Sequence, residues 1–282
     1  MGEIESVTYK RIQGIKEIKE VVVLQAEIWS PETVSPLPQL VASLHNGGII
    51  IGAFFEDKLI GFCYGFAGFK NGEFYLVSHM AGILPNFQNY GVGYQLKLKQ
   101  REWAIDYGYK KIVWTYDPLE IRNGYFNLCK LGAYSRQYIS SYYGEMNDKL
   151  NKGLPTDRLL IEWDICSNRV DKAIQGVSLD KTDNEYSSLL TWEKNGEFTS
   201  FPSLSEKYIS YQQEGYIVPV PSNIQLLKQK RPELAQSWRY AIRKVLSEAL
   251  LNGYVITGVH KEMNSLTHFY ILENKKGEAL DD

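Results

Sequence analysis

Two closely spaced glycines after a short polar run are the part of the chain best suited to hold a ligand. Residues 88–93 read QNYGVG and lie between an apolar stretch and a long amphipathic one. Glycine at 91 and 93 lets a ligand approach the backbone without meeting a Cβ atom. The first N–H groups of a helix have no intrahelical partners, and the helix dipole adds partial positive charge there. The spacing therefore predicts a diphosphate site at the start of a helix.

The cysteines and histidines lack the spacing of a metal site or an activated nucleophile. Cys63, Cys129 and Cys166 are far apart, and no CxxC pair occurs. The histidines, which also lack ligand spacing, are His45, His79, His260 and His268. We therefore expect neither a metal nor a disulfide framework. Cys129 falls on a predicted helix with no histidine pattern to activate it, so we expect a structural thiol there.

The composition argues against several classes of protein. Charged residues make up 23% of the 282 residues and the formal net charge is -2, so the basic footprint of a nucleic-acid partner is not expected. No run approaches about 18 consecutive apolar residues, and no membrane span is predicted. The first residues, MGEIESVTYKRI, lack the apolar core of a signal peptide. These observations favour a cytoplasmic protein without a membrane or nucleic-acid partner.

Hydrophobic periodicity predicts the elements that position the glycines. Over residues 7–165 the order is strand, two helices, three strands, helix, strand, helix and two strands, a mixed α/β arrangement. The predicted helices cover 15–29, 37–45, 90–107 and 123–131, and the predicted strands include 7–12, 49–55, 59–69, 74–84, 110–116 and 159–165. Residues 56–58 predict a tight hairpin turn. The strand at 74–84 is expected to be buried on both faces because its apolar residues do not alternate.

Two helical faces follow from the same periodicity. The first helix is expected to bury Ile15, Ile18, Val22 and Ala26, and the helix after the glycines to bury Val92, Leu96, Trp103 and Tyr107.

After residue 165 the pattern changes. Residues 166–200 are polar, and we expect a linker or irregular cover there, including DKTDNE at 180–185. A strand within 208–220, a long helix that begins near Pro232 and a hairpin formed by 254–259 and 268–272 are predicted next. The helix is expected to bury Leu234, Trp238, Ile242, Val245 and Ala249. We therefore predict two domains, 1–165 and a smaller α+β region of unknown role at 166–282.

The glycine segment also resembles a family signature. Gln88, Gly91 and Gly93 match in register the Gln/Arg-x-x-Gly-x-Gly/Ala pattern of GNAT-type acyl-CoA-dependent N-acetyltransferases. NGYFNLCKLGA at 123–133 is similar to the family's second signature, with Lys130 and Gly132 matching. GYFNLCKLGA, YGEMND and GLPTDRLLIEW together look like an uncharacterised bacterial branch of predicted acyltransferases. The resemblance implies a GNAT-like fold and acetyl-CoA, or another acyl-CoA, as co-substrate without a metal.

The resemblance further implies direct attack of an amine on a thioester. A backbone N–H near Met80, Ala81 or Gly82 would stabilise the oxyanion. His79 is the first candidate for the base, with a histidine packed and hydrogen-bonded in the sheet as the alternative. Glu73, Asp117 and Glu120 are further candidate bases, or else solvated loop carboxylates. The segment expected to bind the co-substrate comprises Gln88, Asn89, Tyr90, Gly91, Val92, Gly93 and Tyr94. Lys97 and Lys99 either approach its 3′-phosphate or form a solvated helix face.

One position departs from the family pattern. The tyrosine that commonly protonates the departing thiolate, two residues before the signature lysine, is replaced by Leu128. Tyr125, about one turn earlier, is the candidate substitute. The sequence thus predicts transfer of an acyl group, expected to be acetyl, to a primary amine of a small molecule or a protein, with 166–282 as docking surface in the latter case. The alternative is a non-catalytic acyl-CoA binding or sensing protein, and homo-oligomerisation is left open.

Overall fold

A computed structural model describes residues 7–144, 153–179, 186–205 and 211–275. The chain divides into two compact units, Met1–Trp114 and Thr115–Asp282, called the first and second unit below. The predicted domain boundary at residue 165 stays a prediction. Of the predicted features, 180–185, part of the YGEMND segment and the start of the 208–220 stretch lie outside the described residues.

From residue 7 onward, where the structure describes it, the first unit has five strands and three α-helices in the predicted order. The strands are β1 (Thr8–Arg11), β2 (Ile49–Phe55), β3 (Lys58–Lys70), β4 (Glu73–Ile83) and β5 (Lys111–Tyr116), the last of which ends in the second unit. The helices are α1 (Ile15–Ile28), α2 (Leu37–His45) and α3 (Val92–Tyr107). Short 3₁₀ turns at Pro31–Thr33 and Pro85–Phe87 precede α2 and α3.

The strands of the first unit lie side by side in chain order, β1 to β5. Pairing is antiparallel except between β4 and β5, which are parallel. The tight turn after β2 is confirmed, because Glu56 and Asp57 both have positive φ, at 47° and 61°. Positive φ at both central residues matches the twist of a two-residue hairpin.

Helices cover both faces of this sheet. Phe62 on β3 contacts Trp29, which follows α1, while its neighbour Cys63 donates to the carbonyl of Leu96 on α3. Because successive side chains of a strand point to opposite faces, α1 and α2 cover one face and α3 covers the other. The predicted mixed α/β class is confirmed.

Three predictions of burial in the first unit are wrong. On α1, Ile15 is 51% exposed, and the buried face is shifted to Ile18, Val21, Leu24 and Gln25. On α3, Tyr107 is 56% exposed, and the buried face is Val92, Leu96, Lys97, Gln100 and Ala104. The polar residues on that face hid it from a pattern based on apolar residues. β4 is not buried on both faces either, since His79 and Ala81 are exposed.

α3 also begins later than predicted. Its first residue is Val92, because Gly91 adopts a left-handed conformation, with φ 81°, and cannot continue a helix toward Tyr90. Gly108, with φ 102°, ends the helix as expected.

The second unit contains the remaining elements. Its helices are α4 (Ile121–Tyr125), α5 (Asn168–Ile174), α6 (Ile224–Lys230) and α7 (Pro232–Leu251). Its longer strands are β6 (Tyr134–Ile139), β7 (Arg158–Asp164), β13 (Gly215–Pro221), β14 (Tyr254–His260) and β15 (Thr267–Asn274). Two-residue strands lie between them: β8 (Ser187–Ser188), β9 (Leu190–Thr191), β10 (Lys194–Asn195), β11 (Phe198–Thr199) and β12 (Ser203–Leu204).

The main strands of the second unit are ordered β7-β6-β14-β15-β13-β8. The predicted terminal hairpin is confirmed, because β14 and β15 pair antiparallel. The predicted face of α7 is confirmed as well: its buried residues include Leu234, Trp238, Ile242, Val245 and Ala249.

Two predictions in the second unit need correction. Residues 166–200 are not a simple linker, because α5 forms there with the Ser167 hydroxyl accepting from the N–H of Val170. The helix predicted at 123–131 lies at 121–130, but it is α-helical only in α4 and then passes into a wide π-helical turn at Phe126–Lys130. Such turns insert an extra residue into a helix and have no signature in hydrophobic spacing.

None of the helices in the described ranges is both long enough and apolar enough to cross a membrane.

Candidate functional site

A β-bulge interrupts β4 near its middle. Tyr64 on β3 lies opposite Met80, whereas the next residue, Gly65, lies opposite Ser78, so His79 is the extra residue. A bulge leaves one residue outside the ladder and bends the strand, and it often occurs beside active sites. The bulge therefore reorients the backbone at the residues expected to hold a thioester.

Pairing between β4 and β5 ends just before this bulge. The register joins Leu76 with Ile112 and Val77 with Val113, whereas β4 continues to Ile83. From residue 78 onward, the β4 backbone carries polar groups on the side away from β3 that this ladder does not use. Such groups can hydrogen-bond an extended ligand as they would another strand.

His79 lies on the face covered by α1 and α2. Its imidazole contacts the rings of Tyr64 and Phe66, at centroid distances of 6.0 and 5.6 Å. Loss of water against these rings lowers the pKa of His79 below its ordinary value, so the neutral imidazole dominates at pH 7. The alternative prediction required a His79 side chain packed within the sheet, but the side chain is exposed. A neutral, accessible imidazole can accept a proton.

Two of the three residues after His79 contact other parts of the first unit. The Ser35 hydroxyl donates to the Met80 sulfur at 3.4 Å. Ala81 is exposed and Gly82 is buried. A Cβ at Gly82 would lie 2.8 Å from side-chain atoms of Ile28 and Trp29, so a larger residue would push the end of α1 away from the strand. This contact explains glycine at position 82.

The loop between β4 and α3 has two left-handed residues. Asn89 has φ 67° and Gly91 has φ 81°, while the Gln88 amide donates to the Ile83 carbonyl at 3.0 Å and ties the loop to the strand. Gly91 is the N-cap of α3 and makes no side-chain capping bond. A Cβ there would meet nothing within 4 Å, so the space in front of the helix is open. Left-handed turns and helix N-termini both present N–H groups to anions.

The residues around Gly91 differ in what they offer a ligand. Val92 is buried, so it can contribute only its backbone N–H. A Cβ at Gly93 would lie 3.0 Å from Ile83 Cδ1, which shows that α3 and β4 approach closely here. Tyr90 is 44% exposed and Tyr94 is half-buried, with its pKa raised by burial. Their rings border the open end of α3.

Lys97 is not on a solvated face. It is 5% exposed, and its ammonium donates to Ser78 Oγ at 3.0 Å and to Gln100 Oε1 at 2.9 Å. Burial lowers the pKa of Lys97 to about 7. Lys99 is instead paired with Glu102 on the surface, at 2.7 Å. The prediction of a solvated face is therefore wrong for Lys97 only.

A shallow pocket of about 280 Å³ adjoins the histidine. Its lining consists of Gln39, Ala42, Ser43, Asn46, Phe66 and Ala67. Phe66 also contacts the His79 ring, and Ser43 hydrogen-bonds the hydroxyl of Tyr64 at 2.6 Å. The lining has amides, a hydroxyl and an aromatic ring but no ionised group, so a ligand would be held by hydrogen bonds and ring contacts.

One predicted base lies far from His79 within the first unit, and three other predicted catalytic residues belong to the second unit. Glu73 is exposed at the far end of β4, beside the β3–β4 turn, which places it about 20 Å from His79 at the usual rise of a strand. Tyr125, Asp117 and Glu120 belong to the second unit. The catalytic roles of all four residues stay predictions.

In the second unit, Tyr125 is half-buried and its ring lies 3.4 Å from Lys261 Nζ. Leu128, where the family has its tyrosine, is fully buried in the π-helical turn. Asp117 accepts from Arg239 at 2.5 Å. Burial raises the pKa of Glu120, which also accepts from Gln225. Neither carboxylate is a solvated loop group.

Part of the chain is similar to a known family. Residues 16–126 match the model of the Acetyltransferase (GNAT) family. Over this segment, which is less than half of its length, the chain is similar to the GNAT family. None of the curated proteins compared with the chain matches it.

Among solved structures, the chain is similar to a GNAT-family acetyltransferase from Streptococcus pneumoniae (16% identity, TM-score 0.44, covering 56% of this chain and 98% of that one). It is also similar to Arabidopsis thaliana Naa50 in complex with the bisubstrate analogue CoA-Ac-MVNAL (14% identity, TM-score 0.42, covering 56% and 97%). A third similar structure is the loading GNATL domain of CurA from Lyngbya majuscula (16% identity, TM-score 0.45, covering 57% and 98%).

Sequence reasoning missed two features of the site. The bulge at His79 depends on how β3 and β4 pair, and strand pairing is not written in one strand's residues. The buried position of Lys97 had a signal in Gln100, which lies four residues after Leu96 on the inward stripe of α3. A polar residue at that spacing indicates a polar cluster beneath the helix.

Proposed function

We propose that the protein transfers an acetyl group from acetyl-CoA to a primary amine, with the first unit holding the thioester and the diphosphate. Two neighbouring features carry this proposal. β4 has a bulge just beyond the point where its hydrogen bonding to β5 ends, and a left-handed glycine with open space in front of it begins α3. The strand offers unused backbone groups to the pantetheine arm, and the helix start offers N–H groups to the diphosphate.

The acyl-CoA co-substrate fits these residues. The absence of any atom within 4 Å of a Cβ at Gly91 leaves room for a diphosphate in front of the helix. Gln88 holds the loop to β4, so the N–H groups of 91–93 are fixed before a ligand arrives. Electrostatic stabilisation of this kind is strongest when the donors are already in place.

The reaction follows from these positions. The amine nitrogen attacks the thioester carbonyl carbon, and a backbone N–H of the bulged segment 80–82 stabilises the oxyanion that forms. The neutral imidazole of His79 removes the proton from the attacking nitrogen, directly or through a water. The C–S bond then breaks, and the thiolate of coenzyme A leaves and takes a proton. The acceptor enters from the pocket beside Phe66.

A first experiment measures the binding of acetyl-CoA by titration calorimetry in the wild type and in Gly91→Glu. Gly108→Glu is the matched control, because Gly108 is also a left-handed glycine whose added Cβ would meet nothing, at the other end of the same helix. We expect micromolar binding, about -8 kcal/mol, in the wild type and the control and none in Gly91→Glu. Equal binding by both variants, or none by the wild type, would refute the diphosphate site.

A second candidate function is acyl-CoA binding without turnover. Leu128 supports it, because a buried leucine occupies the place of the usual proton donor. Release of coenzyme A thiol with a panel of small amines distinguishes the two functions, since a sensor would bind acetyl-CoA and release nothing. A protein acceptor would instead give a labelled band when radiolabelled acetyl-CoA is added to a cell lysate.

A further inference from the structure

Lys97 belongs to a buried triangle of three hydrogen-bonded polar side chains between α3 and β4. Its ammonium donates to Ser78 Oγ at 3.0 Å and Gln100 Oε1 at 2.9 Å, and the Ser78 hydroxyl donates to the same Gln100 oxygen at 2.9 Å. Lys97, Gln100 and Ser78 are all buried, at 5, 0 and 6% exposure. Three mutual hydrogen bonds fix the position of the Ser78 side chain on β4 with respect to α3.

The triangle lies where the two parallel strands stop pairing. Ser78 directly follows Val77, and Trp114 directly follows Val113, the last pair of the β4–β5 register. The Lys97 ammonium lies 3.8 Å from the centroid of the Trp114 ring. One side chain of α3 therefore contacts the first residue beyond the register on each strand.

Burial makes the charged form of this ammonium costly. Its neighbours include the hydroxyl of Ser78, the amide of Gln100 and the indole of Trp114, and the Cys63 thiol of β3 is a titratable group that faces it. Burial raises the pKa of that thiol to about 12 although the ammonium acts to lower it, so the thiol remains neutral. A leucine or methionine would fill the same space without desolvating a charge.

We propose that Lys97 is a positioning residue, which braces Ser78 and Trp114 and thereby fixes the bulge at His79 and the separation of β4 from β5. Ser78 is the residue immediately before the bulge, so holding its side chain limits the backbone rotation of 79–82. Segment 79–82, which Ser78 fixes, is the one proposed to bind the thioester carbonyl. This part of the inference therefore rests on the proposed function. The diphosphate loop lies at the other end of the same segment and is held separately by Gln88.

Hydrogen exchange of the ligand-free protein tests the brace without any substrate. Amides of 78–83 are compared in the wild type, in Lys97→Met and in Lys19→Met, which places the same change on the exposed face of α1. We expect exchange at least tenfold faster in Lys97→Met and unchanged in Lys19→Met. Ser78→Ala removes the hydroxyl that accepts the hydrogen bond from Lys97. This variant replaces Lys97→Met in the measurement if Lys97→Met does not fold. Exchange equal to the wild type in both Lys97→Met and Ser78→Ala would overturn the proposal.

Carbon NMR of acetyl-CoA labelled with ¹³C at the carbonyl tests the effect on the site. In the wild type, hydrogen bonding to the bulge moves the carbonyl resonance downfield. In Lys97→Met we expect that shift to be lost while the Kd for acetyl-CoA stays within about threefold. An unchanged shift in Lys97→Met overturns the proposal. A wild type that binds no acetyl-CoA would refute the proposed function, and hydrogen exchange would still decide the role of Lys97.

Discussion

The imidazole of His79 combines exposure with a lowered pKa. This combination is expected of a base that works near neutral pH, because the ring is unprotonated and can be reached. The neighbouring rings of Tyr64 and Phe66 provide the desolvation without blocking the ring from solvent. Placement at a bulge adds orientation, since the residue outside the ladder can turn its side chain toward a ligand.

We predict that His79→Gln lowers kcat roughly 100-fold, the usual contribution of a general base. Methoxyamine is a suitable acceptor because this weakly basic amine stays unprotonated over the range studied. The wild-type rate should rise with pH through a value below 6.5, as His79 loses its proton, and then level off. His79→Gln should lack this rise.

Glu73→Gln is the control for this measurement. Glu73 is on the same strand but exposed at its far end, so its loss should change neither the rate nor the pH profile. If Glu73→Gln lowered kcat more than His79→Gln does, the general base would have been assigned to the wrong residue.

The stability of the protein should depend on pH through Lys97. Because burial lowers the pKa of Lys97 to about 7, the unfolded chain binds one more proton than the folded chain between about pH 7 and 10. Folding is therefore penalised by this lysine below pH 7, and the penalty decreases as pH rises. We predict that the free energy of unfolding rises by about 2 to 3 kcal/mol from pH 7.5 to 9.5 in the wild type relative to Lys97→Met.

Urea unfolding at several pH values measures this difference. Lys97→Met should also be the more stable protein at pH 7, because methionine fills the site without a charge. Parallel pH dependence in the two proteins would show that Lys97 is charged and solvated in the folded state, against the buried geometry.

At the scale of elements, the sequence predicted what depends on neighbours along the chain. The α2 bounds at Leu37–His45 and the buried stripe of α7 follow from turn residues and helical spacing. The hairpin after β2 follows from its polar turn. The start of α3 did not, because the conformation of Gly91 is set by the loop that Gln88 ties to β4. The buried faces of α1 and α3 depend on the sheet against which they pack.

The candidate site divides in the same way. The glycines at 91 and 93 were found because their spacing has a local meaning, and His79 because of its type. The bulge, the end of the β4–β5 register and the bonds from Ser78 to Lys97 and Gln100 join residues of different elements, and such contacts leave no periodic signal. These contacts also determine where His79 and the glycines lie relative to a bound ligand.

The β2–β3 hairpin gives a prediction at this scale. Glu56 and Asp57 hold φ values of 47° and 61°, a conformation that asparagine and glycine adopt with less strain. The double change Glu56→Asn, Asp57→Gly should raise the free energy of unfolding by about 1 kcal/mol. The urea midpoint measures it. Glu56→Val, which places a β-branched residue at positive φ, should instead lower the midpoint, and a gain from valine would contradict the turn assignment.

For the whole molecule, the division into two compact units separates two kinds of polar burial. The first unit buries a lysine against a hydroxyl and an amide, whereas the second buries charges in pairs. Asp157 is fully buried and accepts from Tyr138, from Ser141 and twice from Arg243 on α7. Burial alone would raise the pKa of Asp157, but the bonds from Arg243, Tyr138 and Ser141 outweigh it and hold the pKa below its ordinary value.

This carboxylate should govern the acid stability of the second unit. Since its folded pKa is depressed, its contribution is complete above pH 4 and is lost as pH falls through the folded value. We predict that Asp157→Asn lowers the free energy of unfolding by about 3 kcal/mol at pH 7, because Arg243 loses its buried counter-charge and the amide offers one acceptor oxygen instead of two. Glu233→Gln breaks an exposed pair with Arg231 near the start of α7, and its effect on the free energy of unfolding should be much smaller. Urea unfolding monitored by hydrogen exchange of peptides from 115–282 compares the two variants. Equal losses would mean that the buried network contributes no more than a surface ion pair, and the acid stability would then have to come from other carboxylates.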